Sequence, residues 1–226
     1  HMHIFKSLLS LSFLKHAFLS FRQGKSPMRI LHNFFLKDLE INGLTLDLGS
    51  GKNASYLNFL KTKNSLITTV DLFNDSEIQI NLEKNLNLES EKYDTVILFN
   101  TLEHIYNYKN LISEISRILK NEGKLEIFVP FLIGYHPDPN DVFRPTHNYL
   151  MKILKESGFK GKTQLIGVGP TMVSYQMMYR YLKFSPIKLI FLIIVIILDK
   201  LISLFSKDSS TYYCGTHISA SKYGIN

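Results

Sequence analysis

The sequence predicts an α/β fold built on a mostly parallel sheet, and three observations carry that prediction. Residues 45–48 form a short apolar run with one acid, bounded by glycines, as a buried parallel strand does. Gly49 and Gly51 follow at once and make a tight turn in which no Cβ blocks approach to the backbone. About twenty residues on, 66–70 forms a second apolar strand closed by Asp71. A length of 226 residues fits one such domain with additions.

The remaining elements follow in order. His1 and Met2 have the look of an expression remnant and are set aside. In 3–21, Ile4, Leu8, Leu11, Leu14, Phe18 and Phe21 recur at three- or four-residue steps, which predicts an amphipathic helix. With 22–40 it forms a helical cap, a lid or a membrane-contacting element; no small-residue cleavage site follows, against a signal peptide. Ser26-Pro27 opens a second helix over 28–39. After the glycine turn, Ser50 or Asn53 is positioned to cap a helix whose apolar face is Tyr56, Leu57, Phe59 and Leu60. An edge strand is expected over 77–82 and a central strand over 93–99. A helix over 111–120 closes at Asn121-Glu122-Gly123, and a strand follows over 124–130. Thr146 caps a helix over 149–155 that stops at Ser157-Gly158, and a strand covers 162–168. The Met- and Tyr-rich 172–181 suits a core helix or an adaptable apolar wall, and 212–221 reads as the last strand.

Gly49-x-Gly51-x-x-Ala54 also fits a loose dinucleotide fingerprint. Asp47 shifts the balance, because an acid at the carboxyl end of the strand suits a cationic or amine-bearing ligand and repels a pyrophosphate. At these residues the chain resembles the class I S-adenosylmethionine-dependent methyltransferases. Asp47-Leu48-Gly49-Ser50-Gly51 matches their first motif, and Val70-Asp71 their ribose-binding acid. Tyr93-Asp94-Thr95-Val96-Ile97-Leu98-Phe99-Asn100-Thr101-Leu102-Glu103-His104-Ile105 matches their fourth strand and the loop after it. The similarity covers roughly 43–159. It implies a Rossmann-like, seven-stranded, mostly parallel sheet with helices on both faces and an antiparallel last strand. The methyltransferase domain is then 41–183 with 208–226, and an apolar helix over 184–207 is inserted before the last strand. S-adenosylmethionine is the expected donor, leaving S-adenosylhomocysteine. The resemblance gives Asp47 the donor's amino group, Gly49, Ser50 and Gly51 its close approach, and Asp71 with Leu72 the ribose. Asn81 and Leu82 fall at the adenine, with Asn81 in place of the more common acid, and Asn100 at the methionine part.

Gly134-Tyr135-His136-Pro137-Asp138-Pro139-Asn140-Asp141-Val142-Phe143-Arg144-Pro145-Thr146 is the most distinctive loop. Three prolines forbid regular structure yet lower the entropic cost of holding polar groups in one geometry. The loop follows the fifth strand, beside the expected donor crevice. Its pattern resembles methyltransferases associated with surface-polysaccharide and other glycan synthesis. His136 is the expected general base, since a histidine titrates near neutrality, and His104 is its rival. Asp138 or Asp141 is placed to orient the His136 ring or to bind sugar hydroxyls, and Tyr135 lies with them on the acceptor side. Arg144 is placed to pair with an acceptor phosphate or with Asp141. His136, Asp138 and Asp141 lack a recognised metal-ligand spacing, so no metal is expected.

Charge is uneven along the chain. Residues 1–37 carry six Lys/Arg and no acid, 38–151 ten against sixteen, and 152–226 ten against three. Basic, apolar ends on an acidic middle suggest an anionic membrane surface rather than nucleic acid, for which no motif is present. The stretch 187–205 is the most hydrophobic, interrupted by Asp199 and Lys200. A single crossing would separate the last strand from its sheet. The helix is therefore expected to dip into one leaflet, with Arg180, Lys183, Lys200 and Lys207 at anionic head groups; a homodimer or core interface and a true crossing are the alternatives. The single Cys214 excludes an internal disulfide, reads as a packed strand residue and fits a cytoplasmic, peripheral protein. The expected activity is O-methylation of a hydroxyl on a glycan or lipid-linked sugar at the cytoplasmic membrane face. A lipid or quinone methyltransferase is the main alternative; a nicotinamide-dependent oxidoreductase and a non-catalytic membrane-binding module are others.

Overall fold

The computed structural model describes residues 7–51, 54–72, 76–137, 140–206 and 211–223; Ile4, Asn53, Asp138 and Lys207 lie outside them. The strands are β1 (Glu40–Leu48), β2 (Lys61–Asp71), β3 (Ile78–Gln79), β4 (Tyr93–Phe99), β5 (Leu119–Pro130), β6 (Phe159–Val168) and β7 (Tyr213–Lys222). The helices are α1 (Leu11–Arg22), α2 (Pro27–Leu36), α3 (Tyr108–Ile118), α4 (His147–Glu156), α5 (Pro170–Met178) and α6 (Ser185–Phe205). The seven strands form one sheet in the order β3-β2-β1-β4-β5-β7-β6, flanked by helices. β1 runs parallel to β2 and β4, β2 to β3, and β4 to β5. β7 is antiparallel to β6: Gly169 N–H donates to Tyr212 O at 2.8 Å and Tyr223 N–H to Gly158 O at 2.9 Å. The fold class expected from the resemblance is the one observed.

The chain packs as two compact units. One comprises Asp38–Phe131, Tyr135–Gln164 and Thr216–Asn226. In it, alternate strand residues Leu46, Leu48, Val96, Leu98, Leu125 and Ile127 share a core with Leu111, Ile112 and Ile115 of α3 and Leu150 and Leu154 of α4. The intervening residues Thr45, Asp47, Thr95 and Glu126 point to the other face and are also buried. Glu126 accepts hydrogen bonds there from Ser219 Oγ at 2.6 Å and pairs with His217 Nε2 at 2.9 Å.

The other unit comprises His1–Lys37, Leu132–Gly134 and Leu165–Gly215. Ser10 and Ser26 cap α1 and α2 by accepting from Phe13 N–H and Arg29 N–H, each at 3.2 Å. The stripe expected on the first helix is rotated. The helix restarts at Ser10, so Phe13, His16, Ala17 and Phe21 face inward and Leu11 is exposed. His16 Nε2 meets Ile30 O at 3.1 Å, and Met28 N–H donates to Gln176 Oε1 at 2.9 Å, tying α1 to α2 and α2 to α5.

Asp199 is not a flaw in an apolar helix. Its carboxylate accepts the Thr171 and Met172 N–H groups at 2.9 and 2.8 Å, satisfying the first turn of α5 from a distant segment. Gly169 makes room for it, since a Cβ there would lie 2.1 Å from Asp199 Cγ. α6 buries Leu192, Val195, Ile196 and Asp199, while Ile187, Ile190, Phe191, Ile194, Ile197, Leu198, Leu201, Leu204 and Phe205 are 40–90% exposed. Among the described residues no helix is long and apolar enough to cross a membrane.

Candidate active site

Three strand ends of the sheet unit bring together the residues expected on the donor side. Asp47, last but one in β1, is 0% exposed, and both its oxygens lie within 2.7 and 2.8 Å of Tyr56 Oη, which donates to them. Burial pushes its carboxyl from 3.8 up to about 6; the Tyr56 and Ser50 hydroxyls pull it back down, and the nearby Asp71 charge adds to the rise. Gly49 has φ +80° and donates its N–H to Val70 O at 2.7 Å. A Cβ on it would lie 2.2 Å from Thr101 Cγ2, so glycine is demanded twice over. Gly51 N–H donates to Asp71 Oδ2 at 2.9 Å, and Leu72 N–H to Asp71 Oδ1 at 2.6 Å. The two motif acids therefore flank one turn, as the twenty-residue spacing from Gly51 to Asp71 predicts. Leu72 is exposed beside them. Asn81 Oδ1 accepts Glu83 N–H at 2.9 Å and closes a turn, and Leu82 is buried in the core. Asn100 holds a left-handed φ of +53° and donates its N–H to Phe128 O at 2.9 Å.

The helix expected after the glycine turn does not form. Among the described residues a single 3₁₀ turn, Ser55–Phe59, lies between the glycine turn and β2, which starts already at Lys61. Ser50 Oγ donates to Gly51 O rather than capping, and Tyr56, expected on an apolar face, is held by Asp47. Eleven residues spent on an extended β2 leave too little chain for a helix.

The Pro-rich loop, expected on the acceptor side, is pinned to the 3₁₀ turn Leu102–His104 that follows β4. Val142 N–H donates to Glu103 O at 2.9 Å, and His104 Nδ1 bonds the Asn140 carbonyl. As donor there, Nδ1 leaves Nε2, 3.7 Å from Glu103 Oε1, to carry the lone pair of the neutral ring. The His104 and His136 rings lie 6.1 Å apart. Asp141 holds the loop by accepting His136 backbone N–H at 3.0 Å and Arg144 Nε–H at 2.8 Å, with Arg144 Nη2 as a third donor. The Arg144 bond first, then the His136 N–H and the Arg144 and His104 charges, hold the Asp141 carboxyl below the usual range. Of the two partners expected for Arg144, the structure has Asp141. Arg144 Nη1 is buried without a hydrogen-bond partner among the described residues, a cost of about 1–3 kcal/mol for such a donor. Tyr135 is largely exposed, and Asp138 lies outside the described residues. Among the described residues no group of three His, Cys, Asp or Glu side chains is placed to hold a metal ion.

Sequence reasoning missed three residues that position this site. Thr101 Oγ1 donates to Leu48 O at 3.1 Å and lies 3.2 Å from Phe99 O, fastening the β4 loop to the glycine turn. Glu83 accepts Tyr106 N–H and Asn107 N–H, each at 2.8 Å, fastening the 81–84 turn to the same loop. Tyr56 is the third; its only signal was a hydroxyl in an otherwise apolar set.

A sheet in this strand order, with acids ending β1 and β2 around a glycine turn, defines a Rossmann-like methyltransferase fold. The chain belongs to the methyltransferase domain family, whose profile matches residues 18–160. An uncharacterised protein of Methanocaldococcus jannaschii is 35% identical over 100 residues, 38% of this chain and 40% of that protein. The chain thus spans less than half of that relative. Among solved structures, a Haemonchus contortus phosphoethanolamine N-methyltransferase bound to phosphomonomethylethanolamine and S-adenosylhomocysteine is similar, with 15% identity and TM-score 0.54. That match covers 85% of this chain and 52% of the other. The cyclase SpnF is equally similar at 14% identity and TM-score 0.54, covering 85% and 78%. At such identities the likeness shows the fold alone, and a cyclase on the same fold leaves the reaction to be argued from the site.

Proposed function

We propose that this protein transfers a methyl group from S-adenosylmethionine to a hydroxyl of a glycan or lipid-linked sugar, working at the cytoplasmic membrane face. One observation carries the reading: two acid-ended strands and a glycine turn are fastened, through Thr101 and the Leu102–His104 turn, to a loop bearing a second histidine. The donor fits the residues present. Asp71 offers carboxylate oxygens to ribose hydroxyls beside the glycine turn, and the buried, ionisable Asp47 suits an ammonium group once Tyr56 shares or yields its bonds. When bound, the donor supplies an activated methyl on a sulfonium. What the chain adds is alignment for in-line displacement and a base for the acceptor hydroxyl. His136 is the proposed base, with Asp141 fixing its backbone; His104 is the rival, because its Nδ1 bond leaves Nε2 as acceptor.

The exposed apolar face of α6 supports the membrane part of the reading. Arg180 and Lys183 are exposed nearby and Lys200 is half-buried, while the one acid between 170 and 206, Asp199, is consumed by the α5 cap. The same face favours a second reading, a lipid or quinone acceptor. Calorimetric titration with S-adenosylhomocysteine, beside NADH, on wild type and Asp71→Ala tests the site. Binding of S-adenosylhomocysteine lost in the variant supports it, and binding of NADH alone overturns it. Co-sedimentation with anionic vesicles, reduced by Ile194→Glu, tests the membrane part.

A further inference from the structure

We propose that the acceptor carries an anionic group, a carboxylate or a phosphate, which Arg144 grips beside the two histidines. This inference rests on the methyl-transfer reading and specifies the charge of its acceptor. A guanidinium presents its donors in a rigid planar fork. One edge of the Arg144 fork, Nε and Nη2, is spent on Asp141. Nη1 is the nitrogen left over, buried and without a partner among the described residues. Asp141 is itself saturated on this side: Oδ2 takes the His136 N–H together with Arg144, and Oδ1 takes Nε. The carboxylate therefore aims the guanidinium and bends the loop, rather than holding substrate.

The surroundings suit an anion on a sugar more than a bare ion. Phe143, next in sequence, stacks on Tyr108 with ring centroids 4.4 Å apart. Tyr108 and Tyr149 are joined through their hydroxyls, and Tyr149 is partly exposed. Phe143 and Tyr108 pack against the core as well. Tyr149, the exposed ring of the three, is left to offer apolar contact for a pyranose face, and the partly used guanidinium a charge-assisted bond for its acidic substituent. His104 and His136, next to the same Asp141, then lie where a neighbouring hydroxyl of that sugar would be deprotonated.

The test titrates the protein, saturated with S-adenosylhomocysteine, with glucuronate, glucose 1-phosphate and glucose by calorimetry. The expected result is that one of the anionic probes binds about tenfold or more tightly than glucose. That preference disappears in Arg144→Gln while S-adenosylhomocysteine affinity is unchanged. Preference for glucuronate assigns a carboxylate, and preference for glucose 1-phosphate a phosphate. Equal or undetectable binding of all three overturns the inference, as does an undiminished preference in the variant. Should the Gln variant lose S-adenosylhomocysteine too, Arg144→Lys decides: a reduced preference with that binding intact supports the fork, and an undiminished one overturns it. A wild type that binds no S-adenosylhomocysteine refutes the methyl-transfer reading itself, a separate outcome.

Discussion

Replacing Asp47 by asparagine separates what this acid does for folding from what it does for binding. Its carboxyl is fully buried, and burial lifts its pKa from 3.8 to about 6. An acid that holds its proton more tightly folded than unfolded contributes stability fully below its unfolded pKa. That contribution is lost as pH rises through the folded value. At about 1.36 kcal/mol per unit, a shift of roughly two units takes about 2 kcal/mol from the folded state between pH 4 and pH 7. Asparagine cannot ionise and still accepts the Tyr56 hydroxyl through its amide oxygen. Urea unfolding of wild type and Asp47→Asn at pH 4, 5, 6 and 7 measures the effect, and subtracting the two profiles cancels every other titrating group. The difference is expected to move by about 2 kcal/mol in favour of the variant as pH rises. Parallel profiles would refute the reasoning. S-adenosylhomocysteine affinity is expected to follow the opposite course, rising through pH 6 in wild type as the carboxylate forms, and flat in the variant.

Gly49→Ala meets both a φ of +80° and a Thr101 methyl 2.2 Å from the new Cβ, so a loss of about 3 kcal/mol in urea unfolding is expected. Arg117 ties Leu86 O, Leu88 O and Ser90 Oγ to Glu114. Arg117→Ala is expected to cost about 2 kcal/mol and to speed amide exchange in 84–92. Asp199→Ala strips the α5 cap, and a loss of about 1–2 kcal/mol is expected in the same unfolding assay. Burial raises the Cys214 thiol to about 12, so its reaction with a disulfide reagent at pH 8 should proceed only as fast as the protein opens.

How much was legible depended on whether the signal was local. β4 matches its expected span, 93–99, because the apolar run Val96-Ile97-Leu98-Phe99 at its core announces a buried strand. The glycine turn and Asp71 were legible as a pair because a fixed spacing brings them together, which the Gly51 to Asp71 bond shows. Asn121-Glu122-Gly123 misled. These residues do turn the chain, Glu122 at φ +64°, but inside β5, whose pairing jumps from Tyr93↔Leu119 to Thr95↔Lys124. A bulge and a helix stop use the same residues. Asp199 misled for another reason: its partners are twenty-seven and twenty-eight positions away, beyond any periodicity. The orphaned Arg144 nitrogen likewise has no sequence signature, because it depends on which edge of the fork Asp141 takes.

The short 3₁₀ crossing from the glycine turn to β2 has a consequence for turnover. A long helix there would aim a row of N–H groups at the crevice and draw anions to it. Here, among the described residues, the charges beside the turn are two carboxylates, Asp47 and Asp71. On the proposed reaction such a pair would attract the donor's sulfonium, an attraction that ends when the methyl departs and the sulfur becomes neutral. The same pair of charges would then favour the donor over its product at the sulfur, while the ammonium common to both stays with Asp47.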